Sequence, residues 1–253
     1  MRARIVALAS AAALASCTSV ETPSFVPNAQ QEAIVRDGQP ALISKKPKSV
    51  VMVRPATRSF QGGERPAFVV AVLNTGPAPA TLYVRDVRVS QSIPGDKPYE
   101  LKVYSYDDLV AEEKQVQLNR AILVGLAASA NAAAAANAGY YNASGTVYSP
   151  YGVSRVTVSG YDASAAAIAN ANAAATNSAM IADAVETGQR NLAVLEQSVM
   201  KDNTVLPGEW YGGRVVIAPP KLVATDKPKV YRITVSFAGE VHEIDVTQSR
   251  ASG

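Results

Sequence analysis

Two alanine-rich, almost uncharged segments constrain the fold of this 253-residue chain more than any other feature. The first contains five consecutive alanines at 132–136, and the second runs over residues 163–175. Because alanine is the residue that most favours a helix, we predict two long helices, over about 106–138 and 162–200. Small side chains let two helices approach closely. The pattern therefore predicts a long helical hairpin over residues 105–201.

The segment between the two predicted helices, residues 139–161, is rich in tyrosine, glycine and serine and interrupts the helical pattern. Residues 146–148 and 155–158 can form the strands of a hairpin; a flexible loop is the alternative. Tyrosine, serine and glycine together are typical of binding loops, so we predict a partner-binding tip. In the competing interpretation the tyrosines only cover the helix ends. The candidate binding residues are Tyr140, Tyr141, Tyr148, Tyr151 and Tyr161.

Strand-like segments lie on both sides of the helical hairpin, over residues 48–104 and 202–248. Short β-branched segments alternate there with proline and glycine turns, which is typical of an antiparallel sandwich. The clearest hairpin joins residues 230–237 to 241–246 through Ala238 and Gly239. The predicted fold class is therefore α+β: an antiparallel, immunoglobulin-like β-sandwich into which the alanine-rich helical hairpin is inserted.

The first seventeen residues have the features of an export signal. Arg2 and Arg4 precede a short apolar stretch over residues 5–14, and Leu14-Ala15-Ser16-Cys17 follows. This end resembles the lipobox of bacterial lipoprotein precursors, a resemblance that implies cleavage before Cys17 and acylation of Cys17 with fatty acids such as palmitate. Residues 1–16 would then be the signal peptide. The alternative is an ordinary signal peptide with a chance cysteine.

The residues after Cys17 indicate in which membrane the lipoprotein would be anchored. Ser19 occupies the position at which aspartate signals inner-membrane retention in enterobacterial lipoproteins, so the resemblance implies the outer membrane, on its periplasmic side. Residues 17–47 contain four prolines among polar residues, and we predict a flexible tether there. Two or three acyl chains would anchor the protein stably to the membrane.

The net charge and the residue composition argue against several classes of function. Without Arg2 and Arg4, twenty-two basic and twenty-one acidic residues remain, which argues against nucleic-acid binding. The single histidine, His242, cannot supply a metal site that needs three or four ligands, so we expect no metal and no cofactor. A group of acidic residues lies at the predicted start of the first helix, at positions 107, 108, 112 and 113. Carboxylates favour that end of a helix dipole, which explains the group better than a catalytic role does. We expect Trp210 to be a core anchor; the alternative is that it lines a binding groove. We also expect that the protein is not an enzyme.

Three segments, residues 104–113, the tyrosine-rich tip and residues 201–213, together resemble a group of uncharacterised proteobacterial lipoproteins. That resemblance implies a fold and no activity. We therefore expect a lipid-anchored envelope protein with a structural or binding role, which presents its tip to an envelope protein or a glycan. The alternative is an oligomeric subunit of an outer-membrane export or pore assembly, in which the alanine-rich helices associate between copies.

Overall fold

A computed structural model describes residues 20–36, 38–92, 97–221 and 228–250. The predicted signal peptide and the lipobox residues Leu14, Ala15, Ser16 and Cys17 lie outside these residues. The chain divides into two compact units. We call residues 20–105 with 200–250 the β domain, and residues 106–199 the helical unit.

The β domain contains two six-stranded sheets in which all neighbouring strands are antiparallel. The first sheet has the order β5 (Phe60–Gln61), β1 (Val20–Phe25), β16 (Glu240–Arg250), β15 (Lys229–Phe237), β8 (Val87–Ser92) and β9 (Tyr99–Leu101). The second sheet has the order β10 (Val103–Tyr104), β14 (Trp210–Ile217), β6 (Ala67–Asn74), β4 (Ser49–Pro55), β3 (Gln39–Lys45) and β2 (Gln31–Arg36). A separate pair joins β7 (Ala80–Leu82) to β13 (Asn203–Val205), and a 3-10 turn covers Val84–Asp86.

One hydrophobic core is shared by both six-stranded sheets. Strands β4, β6 and β15 bury every second residue, which is the period at which a strand presents side chains to one face. The rings of Phe68 on β6 and Tyr231 on β15 lie 6.2 Å apart and connect the two sheets. The core consists mainly of valine, isoleucine, leucine and phenylalanine, whose burial supplies the principal stabilising free energy.

The structure confirms a mixed fold of mostly antiparallel sheets with two helices. It also confirms the hairpin of β15 and β16. Ala238 and Gly239 have φ angles of 52° and 78°, as a two-residue turn between twisted strands requires.

The prediction of a flexible tether over residues 17–47 is wrong for residues 20–25, 31–36 and 39–45, which form β1, β2 and β3. Strand β1 pairs with β16, and the buried carboxylate of Glu21 accepts hydrogen bonds of 2.6 Å from the ammonium of Lys229. Strand β1 pairs with β5 only at Val20 and Glu21, so Pro23 has a paired strand on one side alone, where a proline is tolerated. The prolines that indicated a tether therefore belong to the β domain.

The helical unit consists of α1 (Tyr106–Asn137), α2 (Ala163–Ser198) and a pair of strands between them. The side chain of Asp162 caps α2 by accepting the backbone N–H groups of Ser164 and Ala165. Hydrogen bonds from Asn131 to Asn177 and from Gln117 to Gly188 show that the helices run antiparallel. Both helices end within two residues of their predicted limits.

Candidate functional site

The tyrosine-rich segment is a regular β-hairpin. Strands β11 (Tyr140–Ser149) and β12 (Gly152–Tyr161) each have ten residues and pair along their full length. Between them lies a turn of Pro150 and Tyr151, in which the Ser149 hydroxyl accepts the N–H of Tyr151 and donates to the carbonyl of Gly152. Of the two interpretations of this segment, the structure confirms the hairpin. Its strands are longer than the sequence pattern indicated.

The register gives the hairpin one polar face. Residues directly opposite each other in an antiparallel pair point to the same side. The centre of this face carries three cross-strand pairs of hydroxyl, amide and guanidinium groups: Asn142 with Ser159, Ser144 with Thr157, and Thr146 with Arg155. Aromatic or aliphatic pairs close both ends of the face: Tyr140 with Tyr161, and Tyr148 with Val153.

The opposite face of the hairpin is mostly apolar. Its cross-strand pairs are Tyr141 with Gly160, Ala143 with Val158, Gly145 with Val156, Val147 with Ser154, and Ser149 with Gly152. This face carries no charged residue, and its serines lie towards the turn. The hairpin is therefore amphipathic with a period of two residues.

Both faces of the hairpin are open to solvent. All residues of β11 and β12 are exposed except Gly160, which is half-buried, and the pair forms a sheet of its own. An isolated two-stranded hairpin is at best marginally stable in water, and exposed valines on one face add no packing energy. The apolar face thus has the chemistry of a surface that another apolar phase or molecule covers.

The five predicted tyrosines do not form one patch. Tyr148 and Tyr151 lie at the turn end, where Tyr151 is 100% exposed, and the other three lie at the end next to the helices. There the rings of Tyr140 and Tyr161 stack edge to face with centroids 5.0 Å apart. The tyrosines therefore border the hairpin at both ends instead of gathering at its tip.

The two helices contact each other through polar and small side chains. Gln117 donates to the carbonyl of Gly188 at 3.0 Å, and Asn131 donates to Asn177 at 2.9 Å. Asn191 donates to the carboxylate of Glu113 at 3.1 Å. Polar side chains thus hydrogen-bond across the helix–helix contact at three levels.

Several large apolar side chains of α1 are exposed, although Leu109 near its start is buried. Leu118, Ile122 and Leu126 repeat every four residues, so they lie on one face, and each is more than half exposed. Leu123, which lies outside this stripe, is 66% exposed as well. Among the described helices, α1 alone is long and apolar enough, by length and composition, to cross a membrane.

His242, for which the sequence indicated no chemistry, lies buried in the β domain between two serines. Its ring nitrogens contact the hydroxyls of Ser49 at 2.8 Å and Ser44 at 2.9 Å. The Ser49 hydroxyl donates its single proton to the carboxylate of Glu240, so it accepts from His242 Nε2–H. When the ring is neutral, Nδ1 carries no proton and accepts from the Ser44 hydroxyl.

Burial, followed by the charge of Lys46, lowers the pKa of His242 to about 4, against the smaller opposing effect of Glu240. Ser49 and His242 are both fully buried, so neither presents a reactive atom to a substrate in solvent. This group is a structural network. Only the alternation of His242 with Ile244 and Val246 indicated that the side chain points inward.

Other residues considered in the sequence have simple structural roles. Asp107 and Asp108 lie in the first turn of α1, where carboxylates complement the helix dipole. Trp210 is not a core anchor, because its side chain at the start of β14 is 53% exposed. Within the described ranges, no three side chains of His, Cys, Asp or Glu are grouped closely enough to hold a metal ion.

Comparison with known proteins identifies no relative: no family model, no curated protein and no solved structure matches this chain.

Proposed function

We propose that this protein is a lipid-anchored subunit of an oligomeric pore in the outer membrane, in which β11 and β12 cross the bilayer. The observation that carries the proposal is the hairpin with one polar and one apolar face, both uncovered. Ten residues per strand match the roughly nine to eleven that a tilted strand needs to cross the hydrocarbon core. The apolar face would contact acyl chains, and the polar face would line the water-filled path.

The positions of the tyrosines at the two ends of the strands support a hairpin that spans the bilayer. Transmembrane strands carry aromatic residues at both membrane–water boundaries, where the ring packs in an apolar layer and the hydroxyl remains hydrated. Tyr141 lies on the apolar face at one boundary, and Tyr151 lies in the turn at the other. Tyr140, Tyr161 and Tyr148 lie at the same two levels on the polar face, where they would border the two openings of the path. A simple recognition tip would need its tyrosines at the turn only.

The requirement for several copies follows from the edges of the hairpin. Each outer edge has a row of N–H and C=O groups, and lipid offers no hydrogen-bonding partner for them. Strands of neighbouring copies are the natural partners, and a ring leaves no edge open. Since the smallest membrane barrels have roughly eight strands, about four or more copies would be needed.

The helices support association between copies. The exposed stripe of Leu118, Ile122 and Leu126 lies on α1, which two residues separate from β11. Copies whose hairpins pair would bring these stripes close to the helices of a neighbour. In the assembly the stripes would be buried, which would account for the polar contact between α1 and α2 within one copy.

The β domain would be the scaffold of the subunit. We propose an immunoglobulin-like sandwich, supported by two antiparallel sheets that share one core. Cys17 would carry the acyl chains on the periplasmic side of the outer membrane, and the protein would act without catalysis. Only three peptide units separate Cys17 from Val20, which corresponds to at most about 11 Å of chain. The β domain would therefore stay close to the membrane surface.

Cysteine scanning of β12 tests membrane insertion. Thr157→Cys and Val158→Cys, on opposite faces, are each labelled with a polarity-sensitive fluorophore in full-length protein reconstituted into phospholipid vesicles. We expect a blue-shifted emission and quenching by lipid-borne quenchers at Val158. At Thr157 we expect quenching by aqueous iodide.

Two controls accompany this experiment. Asn203→Cys, at an exposed position of β13, should report water in every case. The unsubstituted protein should remain unlabelled, because acylation occupies the thiol of Cys17. Aqueous signals at both Thr157 and Val158 would refute the insertion of the hairpin.

A second candidate function is presentation of the hairpin to a protein or glycan partner in the envelope. The complete exposure of Tyr151 at the turn favours it. A photocrosslinker in place of Tyr148, compared with one in place of exposed Tyr99 on β9, separates the two functions. A single foreign adduct specific to position 148 would support presentation, and a ladder of self-adducts would support the pore.

A further inference from the structure

Arg155 is an isolated charge in an extended uncharged part of the chain. Among residues 121–182 the charged residues are Arg155 and Asp162 alone. The carboxylate of Asp162 is already engaged by the N–H groups of Ser164 and Ala165 at the start of α2. The hairpin of β11 and β12 therefore carries one positive charge and no negative charge.

Arg155 lies on the polar face, in the middle part of the hairpin. It is paired across the strands with Thr146, and the next pair on that face towards the helices is Ser144 with Thr157. These neighbours offer hydroxyl groups, which can solvate an ion but cannot neutralise a guanidinium. The side chain of Arg155 is exposed, so its charge projects into whatever medium this face contacts.

The position of Arg155 agrees with a water-filled path on this side of the hairpin. A guanidinium on the lipid side of a transmembrane strand is strongly destabilising near the bilayer centre, whereas it is tolerated towards the lumen. The apolar face, by contrast, has no charge at any of its ten positions. The single charge is thus found on the one face where a pore could use it.

We infer that Arg155 from each copy forms a ring of positive charge in the pore and makes the pore select for anions. This inference rests on the proposed function. A ring of arginines attracts anions and repels cations, and its field is strengthened by the low-dielectric wall around the narrow path. No negative ring on the hairpin opposes it, so the selectivity depends on this one side chain.

Reversal potentials in planar lipid bilayers test the inference. The full-length protein is inserted, and the zero-current potential is measured across a gradient of potassium chloride. For the parent protein and for Arg155→Lys, we expect a zero-current potential of the sign that a chloride-selective channel gives. Arg155→Gln should lose the anion preference, and Arg155→Glu should invert it. Arg88→Gln, which removes an exposed charge from β8 of the β domain, is the matched control and should behave like the parent.

The outcomes separate the inference from the function on which it rests. Channels whose chloride preference persists in Arg155→Gln would overturn the role of Arg155 and leave the pore intact. A parent protein that forms no channels would overturn both. Circular dichroism and size-exclusion profiles that match the parent show that the Arg155 variants are folded, so that a lost preference reports the charge.

Discussion

Lys229→Met would leave the carboxylate of Glu21 buried and without its counter-charge. Both side chains are almost fully buried, and the ammonium contacts both carboxylate oxygens at 2.6 Å. Gln248 donates a further hydrogen bond to the same carboxylate. Removing one partner of a buried pair typically costs about 3–5 kcal/mol, because the remaining ion stays desolvated. We expect a loss of that size in the free energy of unfolding.

The matched comparison lies on the same strand. Arg232, three residues further along β15, makes a bidentate pair with Asp245 at 2.8 and 3.0 Å, but both side chains are about half exposed. An exposed pair contributes about 1 kcal/mol or less. Arg232→Met should therefore change stability several-fold less than Lys229→Met, although the two variants remove the same charge.

Urea denaturation and amide hydrogen exchange measure the effect. Lys229→Met should lower the unfolding midpoint and reduce protection in residues 20–25, since the ion pair fastens β1 to β15 across β16. Adding Glu21→Gln keeps an acceptor for Gln248 and removes the unpaired charge, so the double variant should return to within about 1 kcal/mol of the parent. Equal losses in Lys229→Met and Arg232→Met, or a double variant no more stable than the single one, would refute the reasoning.

Four further predictions concern other parts of the chain. The pKa of His242 is lowered from 6.5 to about 4 in the folded state, so the unfolded chain takes up the proton first as the pH falls. The free energy of unfolding should therefore fall by about 3 kcal/mol between pH 6.5 and 4. In His242→Gln the free energy of unfolding should fall less over the same range. A Cβ on Gly212 would lie 2.5 Å from the carbonyl oxygen of Val70, so Gly212→Ala should lower stability by about 1–3 kcal/mol. Gly125→Ala, in open space on α1, should raise the thermal stability of the helical unit slightly. Cys17→Ser should abolish incorporation of labelled palmitate and release the protein from the membrane fraction.

Local sequence determined the helical unit and the sharpest turn of the β domain. Alanine favours a helix through the properties of its own side chain and backbone, so the helices over 106–137 and 163–198 could be predicted without any partner. The turn at Ala238 and Gly239 is likewise local, because glycine readily adopts the positive φ that it requires. The amphipathic pattern of residues 140–161 is also local, but its two faces become evident only from the register of the pairing.

Tertiary structure decided the parts whose partners lie far away in the chain. The prolines of residues 20–45 resemble those of a tether, yet β1 forms because β16, more than 200 residues later, supplies its hydrogen bonds and Lys229 pairs with Glu21. Burial of His242 between Ser44 and Ser49 likewise requires strands from both sheets to pack face to face. Strand pairing and burial are properties of the assembled fold, so no local residue pattern specifies them, whereas the propensity of an alanine helix is present in the isolated segment.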